Sequence, residues 1–155
     1  MIKTLQLIGS ILVCQLAGII GSLFTVQTVN TWFKTLAKPA FNPPSYLFGP
    51  VWITLYTLMG IALFIVIQQG WQKHKVAILV FIIQLLLNTF WSFLFFGAQN
   101  PYFALINIVF LLIFIVLTTI KFWQANMWAG ILFVPYIAWV SFATVLNFYI
   151  WKLNK

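Results

Sequence analysis

The sequence predicts an all-α protein, an integral membrane bundle of five transmembrane helices, on the basis of its composition. Its 155 residues include no Asp or Glu, 64% of them are apolar, and the mean hydropathy is +1.08. Soluble domains carry roughly a quarter charged residues, whereas the charged fraction here is 5%, all of it lysine. Such a surface cannot be hydrated, so most of it must face lipid.

Five apolar segments account for almost the whole chain. A transmembrane helix uses about 20 residues, so five of them leave no room for a large soluble domain. We therefore expect a single membrane domain covering residues 1–155. Its spans are predicted at residues 5–26, 48–69, 76–96, 101–122 and 127–151.

Local signals mark several of these spans. The first follows Lys3 and is longer than the apolar region of a signal peptide, so we expect it to be retained. Gly49-Pro50 opens the second span, and Pro101 suits the first turn of the fourth. The fifth span contains Pro135.

The first loop, residues 27–47, is the one long connection. Pro43-Pro44 cannot lie in a helix interior, and Asn42 before them is biased toward extended geometry. We expect this loop to fold against the mouth of the bundle, with its aromatic side chains forming a lid or an interfacial belt.

The eight lysines indicate a lipid surface and not a nucleic acid as partner. A nucleic-acid site clusters Lys and Arg in a polar sequence, whereas these lysines are scattered and Arg is absent. Lysines that flank apolar segments place their ammonium groups among the lipid headgroups and so anchor the ends of the helices there. Five spans place four lysines on each side, so the positive-inside rule leaves the orientation open.

Polar and aromatic side chains recur at helical spacing inside the spans and are expected to face the bundle interior. One interpretation is that the polar side chains form hydrogen bonds between helices, each stabilising the bundle by about 1 kcal/mol or less, and that the aromatic rings pack the space between helices. The other is a shared cavity for a flat apolar ligand, whose polar edges Asn88 and Asn107 would orient. Periodicity does not decide between them. The candidate lining residues are Ser22, Thr25, Trp52, Tyr56, Asn88, Trp91, Phe103, Asn107, Trp139, Ala143 and Leu146.

Other chemistry has weak support in the sequence. Without carboxylates the usual acid–base pairs are missing, and His74 has no visible partners for a metal site, so we expect neither a metal nor a required cofactor. Leu146, Tyr149 and Lys152 match the loose pattern proposed for cholesterol contact, which arises readily by chance.

Four stretches of sequence together carry a family resemblance. They read Trp32-x3-Leu36-x-Lys38-Pro39-x3-Pro43-Pro44, Phe48-Gly49-Pro50-Val51-Trp52-x2-Leu55-Tyr56-x2-Met59-Gly60, Leu87-Asn88-x2-Trp91-Ser92-x2-Phe95-Phe96-Gly97-Ala98 and Pro135-Tyr136-x2-Trp139-x2-Phe142-Ala143-Thr144-x-Leu146-Asn147-x3-Trp151. With them the chain resembles, over almost its whole length, the translocator protein family, also called the tryptophan-rich sensory protein or peripheral benzodiazepine receptor family.

The resemblance implies a five-helix bundle, commonly dimeric, with a pocket that opens toward the first loop. It implies binding of porphyrins such as protoporphyrin IX and, in some members, of cholesterol or benzodiazepine-site ligands. The family's pocket positions match the candidates, with Ser22 and Thr25 matched less firmly and Tyr56 not included. The chain departs from the family at Leu23, where Arg is frequent, and at Asn107, where an acidic residue is frequent.

Three functions remain open at this stage. The first is a membrane receptor or carrier for porphyrin-like ligands. The second is an enzyme that degrades porphyrin with light and oxygen, for which the resemblance implicates Trp52 and Trp139. The third is a regulatory partner of other membrane proteins in stress or tetrapyrrole signalling. The resemblance implies a homodimer. A bacterial membrane is expected because the short C-terminus lacks a basic tail.

Overall fold

The computed structural model describes residues 2–155 and confirms five helices that are long and apolar enough to cross a membrane. In these residues helices are the only regular secondary structure. The long helices are α1 (Ile2–Thr28), α3 (Phe48–Gln68), α4 (Lys75–Ser92), α5 (Pro101–Ala125) and α7 (Val134–Leu153), and the short ones are α2 (Trp32–Thr35) and α6 (Met127–Ile131).

Two of the spans are less regular than hydropathy indicates. The third continues beyond α4 as a π-helical turn, Phe93–Gly97. The fifth is divided into α6 and α7, and Pro135 lies in the first turn of α7, where its missing N–H removes no helical bond. The side chain of Asn126 caps α6 by accepting a hydrogen bond from the N–H of Trp128.

The helices pack as a ring. Helix α1 contacts α3 and α4, α4 contacts α5, and α5 contacts both α6 and α7. The contact of α6 with α3 closes the ring on the other side. The first loop joins α1 to α3 at one end of this ring, and α7 ends there too. The inner faces of α1, α3, α4 and α7 can therefore share one space near the first loop.

Glycines bring α1 and α3 close together. A Cβ atom on Gly60 would lie 2.5 Å from the Cα atom of Ile11, and one on Gly18 would lie 2.4 Å from the ring of Tyr56. Only a residue without a side chain fits at either position. The small residues thus serve packing within the chain.

The half of the bundle away from the first loop is a packed core. The rings of Phe81 and Phe122 stack with their centroids 5.6 Å apart, and Phe133 meets Phe122 edge-on at 5.2 Å. These three rings, together with Met59 and Ile115, are at most 1% exposed. This core fixes the long helices from which the other half is built.

A candidate ligand cavity lined by tryptophan

A cavity of about 630 Å³ lies at the first-loop end of the bundle, among α1, α3, α4 and α7. Pockets for small organic ligands measure roughly 300–1,000 Å³. The first loop contributes Phe33, Ser45 and Tyr46 to the lining. Nine of the eleven sequence candidates also line this cavity: Ser22, Thr25, Trp52, Tyr56, Asn88, Trp91, Trp139, Ala143 and Leu146.

Two of the tryptophan walls are held by stacked rings one helical turn away. The rings of Trp52 and Tyr56 have centroids 5.5 Å apart and planes 29° apart. The rings of Trp91 and Phe95 stack at 5.1 Å and 25°. Side chains four residues apart meet on one helix face, so the sequence spacing itself creates both stacks. Each indole therefore presents a supported flat surface to the cavity.

The third tryptophan wall, Trp139, comes from α7. The ring of Phe48 meets it edge-on at 6.0 Å, and Ala143, one turn further along α7, leaves open space beside it. Trp139 also borders a separate apolar groove of about 810 Å³ between α3 and α7. Its indole thus lies between the cavity and that outer groove.

A buried chain of hydrogen bonds forms the base of the cavity. The hydroxyl of Tyr56 donates to Oδ1 of Asn88, whose Nδ2 donates to the hydroxyl of Tyr136 at 2.7 Å. Tyr136 in turn donates to Oε1 of Gln84 at 2.9 Å. Both ends of the Asn88 amide are therefore bonded to the protein. Asn88 acts mainly by holding Tyr56, the ring on which Trp52 stacks.

A second polar pair fixes Trp91. Its indole N–H donates to Oδ1 of Asn147 at 3.0 Å, and Nδ2 of Asn147 donates to the carbonyl of Pro101 at 2.8 Å. These bonds join α4, α7 and the start of α5. Asn147 also lines the cavity, although it was not among the sequence candidates. Its place one turn after Ala143, on the face that carries Trp139, is the signal that identifies it.

Two sequence candidates do not reach the cavity. The side chain of Phe103 is 54% exposed beside Tyr102 on the outside of α5. Asn107 is buried, and its Nδ2 donates to the carbonyl of Leu87 at 2.9 Å, which is an interhelical bond between α5 and α4. The expectation that both face the shared space is not met, because α5 contributes no residue to the lining.

The residues of the cholesterol pattern do not form one surface. Leu146 is 6% exposed and lines the cavity. Tyr149 is on the outside, where its ring packs edge-on against Phe41 at 5.5 Å, and Lys152 is exposed. A sterol lying along α7 would therefore not contact all three side chains.

The first loop is attached to the end of α7. The side-chain amide of Asn154 accepts from the N–H of Ala37 and donates to its carbonyl, both at 2.9 Å. Phe33 is buried against Phe95 and Phe96, and Nζ of Lys38 lies 4.7 Å above its ring. The expectation of a loop folded against the bundle mouth agrees with these contacts.

In residues 2–155, no three His, Cys, Asp or Glu side chains group as metal ligands.

Comparison with known proteins agrees with this architecture. Residues 10–152 match the TspO/MBR family. The chain belongs to that family. It is 48% identical to the tryptophan-rich protein TspO of Chlorobaculum tepidum, over 91% of this chain and 90% of that one. It is 38% identical to the tryptophan-rich sensory protein of Cereibacter sphaeroides (81% and 78% covered) and 34% identical to the human translocator protein (94% and 88% covered). The resemblance read from the motifs is confirmed, and this TspO/MBR member is an integral membrane protein.

Proposed function

We propose that this TspO/MBR protein is a membrane receptor or carrier that binds flat apolar tetrapyrroles, such as protoporphyrin IX, in the tryptophan-lined cavity. The observation that carries the proposal is the convergence of Trp52, Trp91 and Trp139 on one space of about 630 Å³. Indole faces stack on flat conjugated rings. Mostly apolar walls with a few polar groups are the usual composition of small-molecule sites.

The charge of the protein also favours this class of ligand. The first loop carries Lys34 and Lys38 and no acidic residue. Nζ of Lys38 donates to the carbonyl of Leu36 at 3.1 Å, which places the ammonium at the loop close to Phe33. A ligand with a flat apolar ring and carboxylate side groups would place the ring among the tryptophans and the carboxylates near these lysines.

The test is quenching of tryptophan fluorescence by protoporphyrin IX in nanodiscs, in darkness. We expect saturable one-site quenching, and the double variant Trp52→Ala/Trp139→Ala should bind at least tenfold more weakly. The matched control is Trp71→Ala/Trp128→Ala, which removes two exposed tryptophans outside the cavity. Non-saturating quenching that is equal in all variants would contradict the proposal and favour the regulatory-partner function.

A second candidate, porphyrin degradation driven by light and oxygen, is favoured by one observation. Trp52 and Trp139 line the same cavity, so a bound porphyrin could contact both indoles, and the ring of Tyr136 lies 6.3 Å from that of Trp52. Illumination should then bleach bound porphyrin faster than free porphyrin. Trp→Phe variants at the two positions should still bind but lose this excess bleaching. Equal bleaching of bound and free porphyrin would exclude the enzyme.

A further inference from the structure

The cavity is buried toward α4 and α7 and exposed toward the first loop and between α1 and α3. Its lining residues on α4 and α7 include Asn88 and Leu146, which are 3% and 6% exposed. Between α1 and α3 the lining residues are instead more than half exposed: Ile19 55%, Ile53 61% and Val26 71%. We call this opening the slot, and its edges are Ile19, Ser22 and Val26 on α1 and Ile53 on α3.

On the side away from the first loop, the slot ends at a junction between α1 and α3. Nε2 of Gln15 donates to the carbonyl of Ile53 and to Oγ1 of Thr57, both at 3.0 Å, and so joins α1 to α3. The tight contact of Gly18 with the Tyr56 ring lies beside this junction. Closer to the first loop, no side-chain hydrogen bond links α1 to α3 within residues 2–155. The hydrogen bonds of Gln15 and the contact of Gly18 with Tyr56 are thus the last of these links between α1 and α3 before the first loop.

The part of the slot at Ile19 and Ile53 lies at the depth of the hydrocarbon. With a rise of 1.5 Å per residue, Ile19 is about 6 Å from the midpoint of the 27-residue helix α1. Ile53 is about 8 Å from the midpoint of the 21-residue helix α3. The hydrocarbon of a bilayer extends about 15 Å on each side of its centre. Both residues therefore face acyl chains and not water.

The chemistry of the slot fits an apolar solute. Its edges carry three aliphatic side chains and no lysine. The hydroxyl of Ser22 is already used, because it donates to the carbonyl of Ile19 at 2.7 Å. A charged group crossing here would lose its hydration without gaining a partner, whereas an apolar ring dissolved among acyl chains would lose nothing. The carboxylates of a tetrapyrrole would therefore stay toward the first-loop end of the slot, on the side of Lys34 and Lys38, while the ring passes between the helices. The first-loop end is exposed as well, since Tyr46 is 74% exposed there, but it lies at the end of the bundle and not at the depth of the acyl chains.

We propose that the ligand enters and leaves the cavity sideways, from the bilayer hydrocarbon through the slot between α1 and α3. The ligand class is a flat, largely apolar molecule that partitions into the membrane, and the inference rests on the proposed function. The two bonds of Gln15 join α1 to α3 at the inner end of this route. The slot is a path, and the tryptophan walls remain the binding site.

Cross-linking the two edges of the slot tests whether the ligand enters and leaves between α1 and α3. In a Cys14→Ala background, Ile19→Cys and Ile53→Cys are joined by bifunctional thiosulfonate reagents of increasing length. Association and dissociation of protoporphyrin IX are then followed in proteoliposomes by stopped-flow tryptophan quenching. We expect the shortest bridge to slow both rates at least tenfold while Kd changes much less, since a blocked path raises the barrier without changing either end state. A reductant should restore both rates.

Two variants control this experiment. A Thr54→Cys/Ala138→Cys bridge spans the outer groove between α3 and α7, away from the slot, and should leave both rates unchanged. Ile53→Trp narrows the slot without a reagent and should slow both rates as the short bridge does. Saturable binding with rates unaffected by the slot bridge and by Ile53→Trp would overturn the lateral route alone. Absence of saturable binding in the unmodified protein would instead contradict the proposed function.

Discussion

The two halves of this bundle use aromatic side chains for opposite purposes. Away from the first loop, Phe81, Phe122 and Phe133 fill the space between helices and are almost fully buried. At the first-loop end, Trp52 and Trp139 line an open volume of about 630 Å³. Both halves come from spans of similar high hydropathy. Aromatic content and hydropathy therefore do not distinguish a core from a cavity.

The contacts between α1 and α3 differ between the two halves. At Gly60 the two backbones touch, and at Gly18 α1 touches the ring of Tyr56. Beyond that contact, α1 presents Ser22 and Thr25 to the cavity. The same pair of helices thus closes one half of the bundle and opens the other, and variants placed along them can test this comparison.

The largest effect is expected at the helix contact. Gly60→Ala would place a Cβ atom 2.5 Å from the Cα atom of Ile11, so the helices must move apart. We expect a loss of about 1–3 kcal/mol or more in the free energy of unfolding, measured by denaturant titration in mixed micelles. Gly9→Ala is the matched control, because nothing lies within 4 Å of its added atom. The control should be neutral or gain up to about 1 kcal/mol. Equal stabilities would disprove the close contact.

Overpacking should separate the two halves directly. Ala62 is 0% exposed within the core, so Ala62→Leu should lower the free energy of unfolding by about 1–3 kcal/mol. Ala143 faces the cavity, so Ala143→Leu should change it by no more than about 0.5 kcal/mol. The same unfolding titration measures both. A similar loss in both variants would mean that the cavity half is packed as tightly as the core.

Two buried asparagines should differ in what they control. Asn88→Leu leaves the hydroxyls of Tyr56 and Tyr136 short of a partner, which should cost about 1–3 kcal/mol. It should also weaken porphyrin binding, since Tyr56 supports Trp52. Asn107→Leu removes only the bond to Leu87 and should cost about 1 kcal/mol or less. Unfolding and quenching titrations check these values. A loss of affinity in Asn107→Leu as large as that in Asn88→Leu would contradict the assignment.

The smallest effect is expected at the first loop. Asn154→Ala removes the two bonds to Ala37 and should lower the free energy of unfolding by about 1 kcal/mol. The loop should open more often, so trypsin should cut after Lys34 faster than in the unchanged protein. An unchanged cleavage rate would show that Phe33 alone holds the loop.

Much of the fold could be predicted from the sequence, because lipid imposes simple rules on it. A run of about 20 apolar residues must form a helix to satisfy its backbone, so five spans could be recognised. The division between α6 and α7 was not predicted, since Pro135 tolerates either a kink or a helix start. The contact between Asn154 and Ala37 joins residues 117 positions apart and leaves no local pattern.

The candidate site could be predicted only in part. Spacing along α3, α4 and α7 correctly grouped Trp52, Trp91 and Trp139 on inward faces. On α5 the same reasoning placed Phe103 and Asn107 in the cavity, because periodicity defines a face but not the neighbour that it meets. Gln15 was missed for a related reason. Its role depends on the distance between α1 and α3, which close packing sets and composition does not.

The most direct test of the account is a quenching titration of Ala143→Phe with protoporphyrin IX in nanodiscs, in darkness. This substitution adds a ring to the open space beside Trp139. The account predicts that the variant folds with unchanged stability and binds at least tenfold more weakly than the unchanged protein. A folded variant with the same Kd would contradict the claim that the tryptophan-lined cavity is the binding site.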